Sequence, residues 1–227
     1  MLDFDGSLSE IVARPELAAP VEGAVEAVRA LVPSFGLVAV VSGRPTDEVR
    51  ELLGVEGVRY EGSYGIGVAA DASTDLPFAA VEQAAAATPG AMVEPKGFSV
   101  AVHYRACLDR QAAREALLIA LRPVAEDSGL ELIEGKMVVE LVPAGSSHKG
   151  DVVARLVRDA GSLAALYAGD DLPDLAAFSA LDALAAEGVS VMKVAVRGDE
   201  TPAELLRAAD EVVEGPRGLV ELLRELA

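Results

Sequence analysis

Cysteine is almost missing from this chain of 227 residues: Cys107 is the only one. A lone thiol closes no internal disulfide, and no cysteine metal site is expected. Aromatic residues make up only 4% of the chain, and 19 basic residues face 37 acidic ones, for a formal net charge of -18. A surface of that sign repels phosphate backbones and anionic lipid, so neither nucleic acid nor a membrane is an expected partner. An anionic ligand would need a metal or a local basic cluster to hold it. Long apolar runs are also absent. Leu37 to Val41 and Met92 to Val102 are interrupted well short of the roughly 18 residues a membrane span requires. The first residues carry neither the basic region nor the apolar stretch of a secretion signal, and a cytoplasmic monomer is expected.

Alanine, valine and leucine dominate the 52% of hydrophobic residues, enough for a sizeable core. The length suits one large domain or a domain with a smaller one inserted. Helix-like and strand-like segments alternate at both ends of the chain. Val21 to Val32 has helical spacing of its apolar residues. Gly36 to Val41 is a continuous apolar run, as in a strand covered on both faces. Val58 to Glu61, Leu163 to Ala168 and Val189 to Val196 read as further strands. Helices are expected from Pro45, from Gly150 to Ala160, from Pro173 to Leu184, after an N-cap at Thr201, and from Leu219 to Leu226. Between about Ala70 and Ala144 the pattern becomes helix, hairpin, helix, hairpin. Phe78 to Ala87 and Leu108 to Asp127 are its helices, the second with Pro123 near its end. The hairpins turn at Pro95-Lys96-Gly97 and at Glu134-Gly135-Lys136. The reading is an α/β fold: a Rossmann-like parallel-sheet core from residues 1–75 and 145–227, with an α+β cap inserted at 76–144.

Four groups of residues sit at strand ends or helix starts, where open α/β sheets bind ligands. Asp3 and Asp5 stand two apart, so on a strand both point to one face. Two neighbouring carboxylates suit a hard cation and a phosphoryl group; the plainer reading is an acidic turn. Ser42-Gly43-Arg44 follows the apolar run and resembles an anion site, or an ordinary N-cap. Lys149 opens a helix, where its charge opposes the helix dipole. A bound phosphate would account for it, and so would simple solvation. Asp170, Asp171 and Asp174 crowd one turn, of which an acidic N-cap explains one but not all three.

Taken in order, the four groups resemble the signature of the haloacid dehalogenase-like phosphatases: DxDG[TS], then Ser or Thr, then Lys, then GDDxxD. A closer resemblance is to the trehalose-6-phosphate phosphatase family. It is carried by Asp3-Phe4-Asp5-Gly6-Ser7-Leu8-Ser9-Glu10-Ile11, Ser42-Gly43-Arg44, Val93 to Ser99, His103-Tyr104-Arg105, Gly135 to Pro143 and Lys149-Gly150. The chain departs from that family where Gly62-Ser63-Tyr64-Gly65-Ile66-Gly67 lacks a usual histidine and glutamate. It departs again where His148 replaces an asparagine, and where little strand precedes Asp3.

The resemblance implies magnesium-dependent hydrolysis of a phosphorylated disaccharide, trehalose 6-phosphate, through an aspartyl-phosphate. Asp3 would be the nucleophile and Asp5 the acid and base. Ser42, Gly43 and Lys149 would bind phosphate. Asp3, the Asp5 backbone carbonyl and Asp170 would hold magnesium, with Arg44, Asp171 and Asp174 in support. In the cap, Glu94, Lys96, Arg105, Lys136 and Glu140 would meet sugar hydroxyls, while His103 reads as an ordinary strand histidine. The cap is expected to close about hinges near Asp71 to Pro77 and Pro143 to Ser147. Another sugar phosphate, or a phosphate-binding domain without catalysis, are the alternatives.

Overall fold

The computed structural model describes residues 1–12, 14–63, 76–96, 99–144 and 148–227. Most of both expected hinges, Tyr64 to Gly67, and Gly97 with Phe98 lie outside the described residues. The chain divides into two compact units, residues 1–65 with 147–227, and residues 66–146. In chain order the first unit begins with α1 (Ala24–Leu31), β1 (Val38–Val41), α2 (Thr46–Leu53) and β2 (Val58–Glu61). The second unit follows with α3 (Phe78–Ala86), β3 (Met92–Pro95), β4 (Val100–His103), α4 (Arg110–Ser128), β5 (Leu130–Gly135) and β6 (Val138–Pro143). The first unit resumes with α5 (Lys149–Asp159), β7 (Ala164–Gly169), α6 (Leu172–Ala186), β8 (Ser190–Arg197), α7 (Ala203–Ala208), β9 (Glu211–Glu214) and α8 (Gly215–Leu226).

The first unit is a parallel sheet with helices on both faces, as its succession of continuous apolar strands and intervening helices dictates. β1 pairs with β2, and β7 with β8 and β9, all in parallel. Leu2 joins the two halves, pairing in parallel with Val40 on one side and Ala168 on the other. Its N–H donates to Ala39 O and its carbonyl accepts from Val41 N, both at 2.9 Å, while Asp3 N donates to Ala168 O at 2.9 Å. All four residues of β1 are buried. Val38 and Val40 pack with Leu2, α1 and α8, whereas Ala39 and Val41 pack with α5, α6 and Tyr167. This division of successive residues between two covered faces is why the strand reads as an unbroken apolar run. At the end where the strands begin, an apolar cavity of about 340 Å³ is lined by residues including Met1, Leu37, Leu166 and Met192.

The second unit is an antiparallel sheet in the order β3-β4-β6-β5. Val81 of α3 and Leu117 and Leu121 of α4 pack on its apolar face with Val100, Val102, Val139 and Leu141. Among the described residues no helix is long and apolar enough to cross a membrane.

Several local expectations are corrected. The second hairpin turns at Lys136-Met137, because Gly135 still pairs with Val138. A two-residue hairpin loop favours positive φ, and Met137 adopts φ 58. Thr201 does not cap α7; its Oγ1 accepts from Gly198 N at 2.9 Å and donates to Val196 O at 3.0 Å, closing the turn after β8. As expected, by contrast, α4 runs through Pro123, ending at Ser128. α8 begins at Gly215, with Pro216 in its first turn where a missing N–H costs nothing. β9, the short edge strand EVVE, was not anticipated, since acids at both ends mask its two central valines.

Candidate active site

Asp3, Ser42 and Asp170 all lie at the carboxyl ends of neighbouring parallel segments, and Lys149 opens α5 beside them. Each is placed by a local rule. Asp3 follows Leu2, so pairing of Leu2 on both sides holds the carboxylate at the sheet's end. Gly150 lets α5 approach α6: a Cβ there would stand 2.5 Å from Ala176 O. That approach carries Lys149 to the start of α6, where the Lys149 ammonium lies 2.8 Å from Asp3 Oδ1 and 2.7 Å from Asp174 Oδ1. Lys149 is 4% exposed, so it is not a solvated surface lysine.

Asp174 organises the turn after β7. Its Oδ1 accepts from Lys149 and from the Tyr167 hydroxyl, each at 2.7 Å. Its Oδ2 accepts from the backbone N–H of Asp170 at 2.9 Å and of Asp171 at 3.0 Å. The two amides are donors that a helix start would otherwise leave unmatched. Asp171 is the N-cap of α6. Three acids in one turn thus resolve into a buried hub, a cap, and Asp170. The Asp170 side chain is 1% exposed and accepts from Ser7 Oγ at 3.4 Å.

Burial pushes the Asp3 carboxyl well above the usual carboxylate range; Lys149 pulls it down, and Asp174 and Asp170 push it up. Burial, and then the charge on Asp174, likewise raises the Tyr167 phenol, which therefore stays a donor. Asp3, Asp170 and Asp174 each offer a carboxylate oxygen, and these atoms lie within 4.8 Å of one another. Asp174 is already engaged by two side chains and two amides. Asp3 and Asp170 are therefore the carboxylates suited to a cation. Three buried carboxylates around one ammonium leave this cluster short of positive charge, and carboxylate oxygens are what a hard divalent ion takes.

Asp5 is not among the converging carboxylates. Its two oxygens accept from Arg44, Oδ2 from Nε at 2.7 Å and Oδ1 from a terminal nitrogen at 2.8 Å. The metal contribution expected of Asp5 was its backbone carbonyl, which this pairing does not involve. Arg44 also donates to Glu48, and its guanidinium lies 5.8 Å over the Phe4 ring. Burial opposes its charge, but the contacts with Asp5 and then Glu48 prevail and raise its pKa. Ser42 is buried and does not cap α2, whose N-cap is Pro45. Its Oγ accepts from Arg44 N at 3.1 Å, across half-buried Gly43.

In the second unit, register places Glu94 and Glu140 on either side of Ala101. Residues directly opposite in antiparallel strands share a face. Lys96 reaches both, Glu140 at 3.3 Å and Glu94 at 3.9 Å. Ser99 Oγ donates to Glu140 at 2.5 Å, and His103 Nε2 lies 2.6 Å from Glu94. Arg105 donates to Lys136 O at 3.3 Å. Sequence reasoning missed Tyr167, Ser99 and Glu48. Tyr167 was signalled by one polar-tipped ring in the apolar run ahead of Gly169-Asp170, and Ser99 only by lying in the Val93 to Ser99 segment that carries the family resemblance; Glu48 carried no distinguishing signal.

A parallel sheet with an inserted α+β unit and this acid–lysine cluster define the fold of the haloacid dehalogenase-like hydrolases. Such a hydrolase from Bacteroides thetaiotaomicron superposes with a TM-score of 0.67 at 14% identity, over 100% of this chain and 98% of that one. The C-terminal domain of Candida albicans trehalose-6-phosphate phosphatase superposes with a TM-score of 0.85 at 22% identity, covering 99% and 90%. The trehalose-phosphatase family model matches residues 1–211, and the chain belongs to that family. It is 35% identical to the trehalose-phosphate phosphatase of Mycobacterium ulcerans, over 99% of this chain and 60% of that protein. All of it is matched, at 37% identity, within 18% of an uncharacterised glycosyl hydrolase of Mycobacterium tuberculosis. The chain thus spans about 60% of the curated phosphatase it matches, and a smaller part of the longer relative.

Proposed function

We propose that this chain is a phosphoric monoester hydrolase that releases phosphate from trehalose 6-phosphate with magnesium bound. The observation that carries the reading is the Lys149 ammonium, 2.8 Å from the buried Asp3 carboxylate beside Asp170. This pairs a carboxylate nucleophile with a cation that can hold phosphoryl oxygens. The family membership and the relatives' trehalose-phosphate phosphatase activity support the choice of substrate.

Asp3 attacks phosphorus in line, the bond to the sugar oxygen breaks, and an aspartyl-phosphate forms. Asp5 gives its proton to the departing sugar oxygen. Asp5 then takes a proton from water, whose oxygen attacks phosphorus, and phosphate and free Asp3 result. The Ser42 hydroxyl, the amides around Gly43 and Lys149 hold the phosphoryl oxygens through both steps. Asp3, Asp170 and the Asp5 carbonyl would hold magnesium, which when bound neutralises charge on the phosphoryl group. Asp174 keeps Lys149 and the Asp170 turn in place, Asp171 caps α6, and Arg44 engages Asp5. In the second unit, Glu94, Lys96 and Glu140, with Arg105 and Lys136, recognise sugar hydroxyls.

Phosphate release from a panel of sugar phosphates, with and without magnesium, tests the reading. Release from trehalose 6-phosphate, dependent on magnesium, is expected. Release from a different sugar phosphate would reassign the substrate, and none from any would leave a phosphate-binding domain.

A further inference from the structure

We propose that Glu48 is a positioning residue for Asp5, acting through Arg44. The proposal rests on the phosphatase reading of the site. Arg44 spends its guanidinium on two carboxylates at once: Nε and one terminal nitrogen face Asp5, and the other terminal nitrogen faces Glu48. The backbone that carries it is anchored at both ends, its N–H to Ser42 Oγ and its carbonyl to Ser63 N at 2.8 Å. The backbone from which the guanidinium extends is therefore fixed, while its partners differ in kind. Glu48 lies one turn along on α2 and needs no movement to stay paired. Asp5 is the partner with work elsewhere.

Both Asp5 oxygens are engaged by the guanidinium fork, so neither can reach a sugar oxygen from there. Proton delivery to the sugar oxygen, as the phosphorus–oxygen bond breaks, requires Asp5 to leave the fork. The Arg44 side chain is only 9% exposed. Without a second carboxylate, that departure would strand a buried cation, which is strongly unfavourable. Glu48 keeps the cation neutralised and so makes the release of Asp5 accessible. Glu48 touches no substrate in this account; its effect passes entirely through Arg44.

The test compares two phosphate esters on the full chain carrying Glu48→Ala, Glu48→Gln or Glu48→Asp. One ester is the sugar phosphate the wild type hydrolyses, whose alkoxide needs a proton to depart. The other is p-nitrophenyl phosphate, whose phenolate departs without one, read as release in the first turnover. Glu48→Ala and Glu48→Gln are expected to lower kcat on the sugar phosphate about tenfold or more. KM should stay within about twofold, and first-turnover phenolate release should be unchanged. Glu48→Asp should recover part of the loss. Equal losses on both esters, or no loss on the sugar phosphate, would overturn the proposal. A wild type inactive on both esters would instead overturn the phosphatase reading, a result distinct from an active wild type matched by its variants.

Discussion

The Asp170 carboxylate occupies the space where a side chain on residue 6 would begin: a Cβ on Gly6 would lie 2.0 Å from Asp170 Oδ2. Gly6 also has φ 81, a conformation that penalises any side chain. Gly6→Ala should therefore displace Asp170 and weaken magnesium binding by about tenfold or more, as loss of ligand-orienting contacts does. Calorimetric titration with magnesium would measure it, and unchanged affinity would separate Asp170 from the metal.

Asp3→Asn should lower turnover by at least ~10³-fold, the scale of losing a nucleophile. Its thermal midpoint should not fall, because burial and the neighbouring Asp174 and Asp170 disfavour the Asp3 charge. Phosphate release and a thermal melt read the two arms. Normal turnover in the variant would remove Asp3 from the mechanism.

Asp174→Ala would leave Lys149, the Tyr167 hydroxyl and two backbone amides without their shared acceptor. Breaking one side of a buried ion pair costs about 3–5 kcal/mol. Denaturant unfolding should show a loss of that order, larger than for Asp174→Asn, which keeps one acceptor oxygen. Similar small losses in both would mean the hub is not stabilising.

Glu140→Gln tests the second unit. Glu140 is 4% exposed and bonded to Ser99 and Lys96. If this cluster recognises sugar hydroxyls, KM for the sugar phosphate should rise by about tenfold while p-nitrophenyl phosphate hydrolysis is unchanged, since uniform binding alone is lost. A parallel loss on both esters would assign Glu140 to folding instead.

Most of the parallel core was legible because its strands are buried on both faces and so spell unbroken apolar runs, as at Val38 to Val41. The placement of Asp3, Ser42, Lys149 and the Asp170 turn at strand ends and a helix start was legible because polar residues there interrupt those runs abruptly. What remained hidden depended on partners distant in sequence. Asp174 could be seen as an acid too many, but its part as acceptor for Tyr167 and Lys149 exists only once α5 meets α6. The pairing of Asp5 with Arg44 spans 39 residues and has no local signature. Thr201 and the second hairpin turn misled because capping and turn propensities are weak where a tertiary bond or a ladder register competes.

Among the described residues, Leu2 alone pairs with both halves of the core sheet, and the Asp3 side chain begins one residue later. Cohesion of the sheet and aim of the proposed nucleophile are thus one mechanical joint. An opening that frees Val41 N from Leu2 O, or Asp3 N from Ala168 O, would also unseat the carboxylate. Amide exchange at Val41 and Asp3 would then track loss of activity under mild denaturant, and any heating that divides the sheet would scatter the proposed site with it.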